Sequence, residues 1–329
     1  MGKPHEAEGR FERAIARLTP ELDADLRAAA GFEVAPQTLA FSALNRWILG
    51  YPEKAQARAG EALAGAVARG DRYGQALASA LGSMTLFFLR SDAETLRARV
   101  EPGHRLCQQD GIGWWQDYLE VFLGRLAVMS GHLDAGAGIE RMRSTIAGWQ
   151  AKGMVVGTDD LSAVLADGCL AAAFRERAVG GPDVAGDGAP PAGSAAIGLA
   201  AIEPFLGPEV SCGQSFQAER LRMRGELLLA RDGLAAAEEA RACFEQALQL
   251  AQLQGALAWE LRVAMSIVRL RKRQGEGRPA ELAEARNCLA EVYGRFTEGF
   301  DFPDLRDAAR LLGEAGCRAV HNPASKAES

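Results

Sequence analysis

One helical pattern occurs twice in this chain, more than two hundred residues apart. Residues 7–15 and residues 240–248 share the spacing Ala-x3-Phe-x2-Ala followed by an aliphatic residue. Alanines at these offsets let a helix lie close to its neighbours, while the phenylalanine fills the space between two layers of helices. The recurrence therefore predicts a stack of two-helix repeats, in which both segments are second helices.

Composition agrees with an all-α fold. The 329 residues are 48% hydrophobic and 7% aromatic, and long alternations of Val, Ile and Thr are absent, so strands have little support. A chain of this length would ordinarily form two globular domains, but stacked repeats share one continuous core. The net charge of −6 argues against a general nucleic-acid binder, because phosphate attraction needs a dominant basic surface.

Six hairpins follow one another with a period near forty residues. Their first helices are marked by positions 43, 82, 124, 166, 225 and 265, which are spaced by 39, 42, 42, 59 and 40. The long interval contains residues 179–194, which are rich in Gly and Pro and are predicted to be a mobile loop inserted in the fourth hairpin. The alternative is a hinge between two subdomains.

The predicted organisation has three parts. Residues 1–31 contain an orphan second helix of a truncated repeat and a linker, residues 32–315 contain the repeats and a C-terminal capping helix, and residues 316–329 form a disordered tail. The orphan helix has an apolar stripe that includes Phe11 and Ile15. Without a first helix before it, one side of this stripe should be open. We therefore expect weak self-association through this end, or docking of an upstream polypeptide.

Three segments of the chain resemble a known family. Two of them are residues 41–55 (Phe-Ser-Ala-Leu to Leu-Gly-Tyr-Pro-Glu-Lys-Ala) and residues 221–230 (Leu-Arg-Met-Arg-Gly-Glu-Leu-Leu-Leu-Ala). The third and most specific is residues 292–305, from Val-Tyr-Gly-Arg-Phe to Phe-Pro-Asp-Leu. They resemble the C-terminal tetratricopeptide-repeat region of bacterial proteins that join a class III adenylate cyclase to an AAA-type ATPase. The resemblance implies a right-handed tetratricopeptide-like solenoid that acts as a regulatory module in signal transduction. Its cyclase and ATPase residues have no matching positions here, so no catalytic residue can be transferred.

The sequence contains no motif typical of catalysis, metal binding or phosphate binding. No phosphate-binding loop and no Cys-x2-Cys pair occurs, and the four histidines are far apart, so we expect no enzyme activity, no cofactor and no metal. His104 and the other histidines are expected at the surface or at caps. The six cysteines are expected to be buried in a reducing compartment, and no window is apolar enough for a membrane span. A cytoplasmic protein is the expectation.

Two functions remain open. The first is a non-enzymatic scaffold whose concave face binds a protein or peptide, including sister ATPase or cyclase domains. The second is a sensor that binds a small effector in its groove, like the repeat regions of bacterial transcriptional regulators. Candidate partner contacts are Trp47, Trp114, Trp115, Phe11 and Ile15. Of the adjacent pair Trp114 and Trp115, one should pack and the other be half-exposed, since neighbours on a helix point about 100° apart.

Two charged motifs are given structural interpretations. Asp159 and Asp160 stand at a predicted helix start, where carboxylates cap the helix and interact with its dipole. The basic residues in the range 269–273 stand near a predicted helix end, where cations are favoured.

Overall fold

A computed structural model describes residues 2–30, 34–130, 135–154, 157–180, 193–207, 214–275 and 278–313. Within these ranges every regular element is helical, which confirms the all-α prediction. Two predicted segments lie outside the described residues. These are residues 181–192, which are most of the predicted mobile loop, and residues 316–329, which are the whole predicted tail. The solenoid and its handedness stay predictions.

The α-helices are, in chain order, α1 (Pro4–Arg17), α2 (Pro20–Ala30), α3 (Val34–Ile48), α4 (Pro52–Ala68), α5 (Arg72–Phe88), α6 (Ala93–Asp110), α7 (Gly113–Ser130), α8 (Ala135–Ala151), α9 (Thr158–Gly180), α10 (Ser194–Ile202), α11 (Gln217–Asp232), α12 (Ala237–Gln254), α13 (Leu257–Arg273), α14 (Pro279–Tyr293) and α15 (Pro303–Leu312). Short 3₁₀ helices lie at Glu203–Phe205, Gln214–Phe216 and Gly233–Ala236. From α3 to α14 the helices pack in adjacent pairs, at the positions where the sequence predicts six hairpins.

First helices form an inner row. Helices α3, α5, α7, α9, α11 and α13 contact one another in this order, and α13 also contacts α3, so the two ends of the row meet. Every residue from Ala76 to Leu86 in α5 is buried, whereas α4 buries a single stripe of small residues, Pro52 and four alanines. A helix buried on all sides lies in the interior, and a helix with one buried stripe lies at the surface.

Glycines at the predicted marker positions set the distance within hairpins. A Cβ atom placed on Gly124 in α7 would lie 2.9 Å from the carbonyl oxygen of Gly138 in α8. A Cβ atom on Gly225 in α11 would lie 2.5 Å from the Phe244 ring of α12. Such contacts are too short for any other residue, so these helices approach closely because the markers lack a side chain.

The N-terminal helix packs differently from the prediction. Residues 20–30, expected to be a linker, form α2, and α1 packs against α3. Glu8 accepts hydrogen bonds from Asn45 Nδ2 (2.8 Å) and Arg46 Nε (2.9 Å), and Glu12 accepts one from Arg46 at 2.7 Å. Ile15 packs on the main core. The stripe expected to be open is therefore partly covered by this chain itself at Ile15, and polar residues of α3 bind the two glutamates on the flank of α1.

The core runs through the whole stack. One cluster of buried apolar residues extends from Leu39 to Trp259, and a second joins α13, α14 and α15. Helix α15 buries Leu305 and Ala308 against α13 and α14, in agreement with a helix that caps the last hairpin.

Candidate functional site

Aromatic residues join the two ends of the inner row. The Trp47 ring of α3 meets the Trp259 ring of α13 edge-on at 4.4 Å, and the Phe88 ring of α5 stacks on that of Phe216 at 5.3 Å. Trp259 Nε1 donates to the carbonyl oxygen of Ser215 at 2.8 Å, so its polar atom is satisfied. We call this aromatic cluster, together with Arg262 beside it, the seam.

Arg262 is the polar centre of the seam. Its side chain is 8% exposed, yet it donates to Glu219 Oε1 at 3.0 Å, to Asp304 Oδ2 at 2.8 Å and to the carbonyl oxygen of Phe88. Its guanidinium also lies 4.7 Å from the centre of the Trp47 ring. One side chain of α13 thus contacts α3, α5, α11 and α15, and its planar donors suit several acceptors at once.

The rim of the seam is polar. Glu53 accepts a hydrogen bond from the backbone N–H of Gly299 at 2.9 Å, and Lys54 pairs with Glu298 at 3.2 Å. These contacts connect the start of α4 to the loop before α15, more than two hundred residues later. The end of the stack is therefore fixed to its beginning by charged as well as aromatic contacts.

Next to the seam lies an open cavity of about 490 Å³ between the inner helices. Helices α5, α7, α9, α11, α13 and α15 all contribute to its wall. The charged residues of the wall are Arg90, Arg125, Asp167, Arg222, Glu226, Arg262, Arg269 and Asp304, and its apolar residues are Phe87, Leu96, Met129, Leu170, Ala171, Phe174 and Met265. We call this the inner cavity.

Arginines and carboxylates alternate along one wall of the inner cavity. Asp307 pairs with Arg269 at 3.7 Å and with Arg90 at 2.8 Å, while Asp304 pairs with Arg90 at 3.1 Å and with Arg262 at 2.8 Å. Asp304 is therefore shared between two arginines, and Asp307 is shared between these two and Arg310 of its own helix. Burial favours the protonated form of Asp304, but Arg262 and Arg90 outweigh it and hold the pKa of this carboxyl low.

Helix α11 continues the pattern in which arginines alternate with carboxylates. Arg222 binds Glu219 at 2.7 Å and lies 3.6 Å from Glu226, which accepts a 2.6 Å hydrogen bond from Ser266 Oγ. Burial opposes ionisation of Glu219, but Arg222 and then Arg262 outweigh it and lower the pKa. These buried groups are charged and mutually satisfied, so they are poor ligands for an added ion.

Charges that face solvent in the cavity are mainly cationic. The side chains of Arg90 and Arg269 are 47% and 40% exposed, against 16% and 18% for Asp304 and Asp307. Burial lowers the pKa of Arg269, and Glu226 and Asp307 do not fully offset this effect. On the α13 and α15 side of the cavity, an incoming ligand would therefore meet guanidinium groups before carboxylates, whereas Asp167 on α9 is a carboxylate with 32% exposure.

The opposite wall combines one ion pair with apolar surface. Arg125 donates to Asp167 Oδ2 from Nε at 2.9 Å, which joins α7 to α9. Two turns further along α9, Phe174 is 47% exposed, one turn after Leu170 and Ala171 in the same wall. A large exposed aromatic side chain in a concave surface is a common feature of binding sites.

A second polar cluster lies where α9 meets α11. Arg220 is fully buried and donates to Asp159 Oδ2 at 3.2 Å, and Tyr118 is buried beside the two aspartates. Burial, and then the charge of Asp159, raise the pKa of Asp160 to about 8, although Arg220 acts in the opposite direction. The cap interpretation of this pair is thus incomplete, because Asp159 also forms a buried ion pair between helices.

The candidate partner contacts fall in different environments. Trp47, predicted to contact a partner, is 3% exposed inside the seam, where Trp259 and Phe88 cover it, so its side chain is not accessible in this structure. Trp114 is 38% exposed and Trp115 packs on the core, as the helical geometry predicts. Phe11 and Ile15 are partly buried on α1. These residues do not meet in one site, because Trp114 is on α7, whereas α1 packs on α3.

One histidine lies in a different environment from the one predicted, whereas two cysteines are buried as predicted. His104, expected at the surface or at a cap, is buried with Nε2 2.8 Å from Glu120. Cys107 and Cys169 are buried as predicted, and burial raises their thiol pKa to about 11 and about 12, so neither is a reactive thiolate.

The part of the chain that the structure describes contains neither a metal site nor a membrane-spanning helix. Among the described residues, no group of three or more His, Cys, Asp or Glu side chains is arranged to hold a metal ion. Within the same ranges, no helix combines the length and apolarity needed to cross a membrane. Neither the protein-family models nor the curated proteins compared with this sequence give a match.

The inner cavity was not predicted, but the sequence contains a signal for it. Arg125 and Asp167 are 42 residues apart, as are Arg262 and Asp304, and Arg262 and Glu219 are 43 apart. These separations are close to the predicted period near forty, so the partners occupy similar positions on successive helices of the inner row and on the capping helix α15. Opposite charges one period apart on first helices would have indicated this inner-row network.

Proposed function

We propose that this chain is a non-enzymatic binding module that holds a small ligand in the inner cavity. The observation that carries the proposal is the cavity itself, about 490 Å³ of space whose wall combines exposed apolar side chains with several arginines. Pockets for small molecules commonly have volumes of roughly 300–1,000 Å³ and a mostly apolar lining with a few polar groups. Of the two functions left open by the sequence, the effector sensor fits this geometry better than the scaffold.

The position of the cavity supports a sensing function. A ligand there would contact inner helices that are far apart in the sequence, including α5 near the start of the stack and α13 near its end. Binding would therefore stabilise the contact between the two ends of the inner row. A ligand with higher affinity for one arrangement of these ends shifts the equilibrium towards that arrangement.

A cavity-filling variant tests the proposal. Ala171 lines the cavity, so Ala171→Trp should block it, whereas Ala64→Trp places the same side chain on the exposed face of α4 and serves as control. A panel of metabolites would be screened by thermal denaturation, with native mass spectrometry for ligands that remain bound after purification. A ligand at 100 times its Kd stabilises the folded state by about 2.7 kcal/mol.

We expect at least one compound to raise the Tm of the wild type and of Ala64→Trp, and to leave Ala171→Trp unchanged. Equal shifts in all three proteins would place binding elsewhere. If no compound in a broad panel shifted the wild type, the proposal would be abandoned in favour of the scaffold.

The scaffold remains a second candidate because of one observation. Trp114 is 38% exposed at the start of α7, where its ring lies 4.9 Å from that of Trp149, so an aromatic surface is available outside the inner cavity. The narrower proposal, a regulatory module of a signalling ATPase or adenylate cyclase, is supported by the sequence resemblance alone. A reading frame for such an enzyme directly upstream in the genome would support it, and an unrelated neighbourhood would count against it.

A further inference from the structure

We infer that the ligand of the inner cavity is an amphipathic anion, a carboxylate or phosphate ester on an apolar body, whose charged group binds between Arg90 and Arg269 in competition with Asp307. This inference rests on the proposed function and adds the chemical class of the ligand. It is derived from the exposed charges, from the incomplete pairing of Arg269 and from the apolar wall opposite.

Arg269 has the weakest ionic contact in the alternating wall. Its ion-pair contact with Asp307 is 3.7 Å long, which exceeds hydrogen-bond distance, and its other polar contact is with the sulfur of Met265 at 4.0 Å. The Arg269 side chain is nevertheless 40% exposed and lines the cavity. A carboxylate or phosphate oxygen would give it the short charge-assisted hydrogen bonds that arginine prefers.

Arg90 lies on the other side of the same carboxylate. It pairs with Asp307 at 2.8 Å and is 47% exposed, so both exposed arginines converge on Asp307. Asp307 has a further partner on its own helix, Arg310, whose Nη1 donates to it at 3.0 Å. Displacement by a ligand anion would therefore leave Asp307 paired, which keeps the cost of competition low.

The remainder of the ligand would lie on apolar surface. Phe174 is 47% exposed, and Leu170, Ala171, Met129 and Phe87 belong to the same cavity. Burial of apolar area favours binding in proportion to the area that is covered. An inorganic anion would leave this surface in water, whereas an amphipathic anion covers it and also neutralises the arginines.

A pair of fluorescent probes separates charge from apolar binding. Anilinonaphthalene sulfonate carries an anionic group on an aromatic body, and phenylnaphthylamine has the same aromatic body without the charge. Each would be titrated into the wild-type protein and into Arg269→Gln, Arg90→Gln and Asp307→Asn. Arg273→Gln is the matched control, since Arg273 is exposed in the last turn of the same helix α13. Far-UV circular dichroism and Tm would establish that each variant is folded.

We expect the sulfonate to saturate one site, with its Kd raised about fivefold in Arg269→Gln and in Arg90→Gln, because each loses one charge-assisted contact. Asp307→Asn should lower the Kd by about threefold, since it removes the competing charge. Phenylnaphthylamine should bind all variants alike, and Arg273→Gln should match the wild type with both probes.

The opposite signs distinguish recognition from damage only when the fold is intact, because partly unfolded proteins bind the sulfonate through exposed apolar surface. Tighter binding by Asp307→Asn therefore counts as support when this variant keeps the wild-type Tm and circular dichroism, and general damage would not weaken binding in the two arginine variants. If both probes bound and no charge substitution changed the sulfonate Kd, the anion inference would be overturned while the cavity remained a binding site. If neither probe bound the wild type, the proposed function would fail together with the inference. Displacement of the sulfonate by decanoate, but not by inorganic phosphate, would support the amphipathic class, and equal displacement by phosphate would overturn it.

Discussion

The interior of the hairpins and the inner row of first helices are held together by different physical means. Within hairpins, Gly124 meets the backbone of Gly138, and Gly225 meets the Phe244 ring, so close apolar packing stabilises these pairs. Between first helices, arginines bridge carboxylates of neighbouring units, as Arg262 bridges Glu219 and Asp304. Close approach of small residues is thus the distinctive feature within hairpins, where ion pairs such as Arg141–Glu120 are also present, and buried ion pairs shared between units are the distinctive addition to the apolar packing of the inner row.

This difference has a functional meaning. An apolar contact between small residues has one good geometry, because any added atom clashes and any lost atom leaves a void. A charged group that is shared between two partners can exchange one for another, provided that each charge remains paired. The inner row is therefore the part of the molecule in which a ligand could change contacts without unfolding a hairpin.

The largest effect is expected in the inner row, from Arg262→Met. The substitution keeps much of the apolar length but leaves Glu219 and Asp304 each without one partner in a buried site, which should cost about 3 kcal/mol of unfolding free energy. The matched control is Arg241→Met on α12, where the arginine also contacts two carboxylates, Glu238 and Glu245, but at the surface. Chemical denaturation should show a large loss for the first and little change for the second. Equal losses would mean that the inner-row network contributes no more than surface pairs.

A smaller effect is expected within a hairpin, from two glycines of the same helix α8. In Gly138→Ala the new methyl group would lie 2.8 Å from the Gly124 carbonyl oxygen, and we expect a loss of about 1–3 kcal/mol from the forced separation of α7 and α8. A methyl group added at Gly148 would point into open space, so Gly148→Ala should instead stabilise by about 0.5 kcal/mol through reduced freedom of the unfolded chain. Urea denaturation of both variants measures the difference, and the same sign for both would show that α7 and α8 are not in close contact.

The difference between contacts within hairpins and contacts along the inner row also explains which features could be predicted from the sequence. Hairpins were predicted correctly because their signals are local: the Ala240, Phe244 and Ala247 spacing lies within one helix, and all three residues are buried as expected. The similar pattern around Phe11 was only partly informative: α1 packs on α3, as a second helix packs on the next unit, but Ala14 is exposed and the expected linker forms α2. Spacing specifies which face of a helix is apolar, but it does not specify which helix covers that face.

The candidate site was harder to predict because its partners are distant in the sequence. Arg90 and Asp304 are 214 residues apart, and their contact requires the two ends of the inner row to meet. Neither helix propensity nor apolar periodicity contains that information. Trp47 was expected to be available to a partner for the same reason: nothing near it in the sequence indicates that Trp259 covers it.

The smallest effect is expected from the buried pair at the start of α9, and it depends on pH. Because the pKa of Asp160 is raised to about 8, the folded protein retains a proton that the unfolded chain loses above a pH of about 4. The contribution of this group to stability therefore falls as pH rises between these values. Asp160→Asn keeps the shape of the protonated form and removes the titration, so its Tm should exceed that of the wild type by about 2–4 °C at pH 8.5 and by almost nothing at pH 4.5.

Asp92 provides a control of opposite sign for this pH experiment. It caps α6 by accepting a hydrogen bond from the Thr95 N–H at 2.7 Å, and this bond lowers its pKa. Its contribution is present above the unfolded pKa and is lost as pH falls, so Asp92→Asn should lower the Tm at pH 8.5 and have less effect in acid. A constant Tm offset for Asp160→Asn across the pH range would show that Asp160 is ionised in the folded protein, with Arg220 stabilising both aspartates. That outcome would extend the paired-charge character of the inner row to this cluster as well.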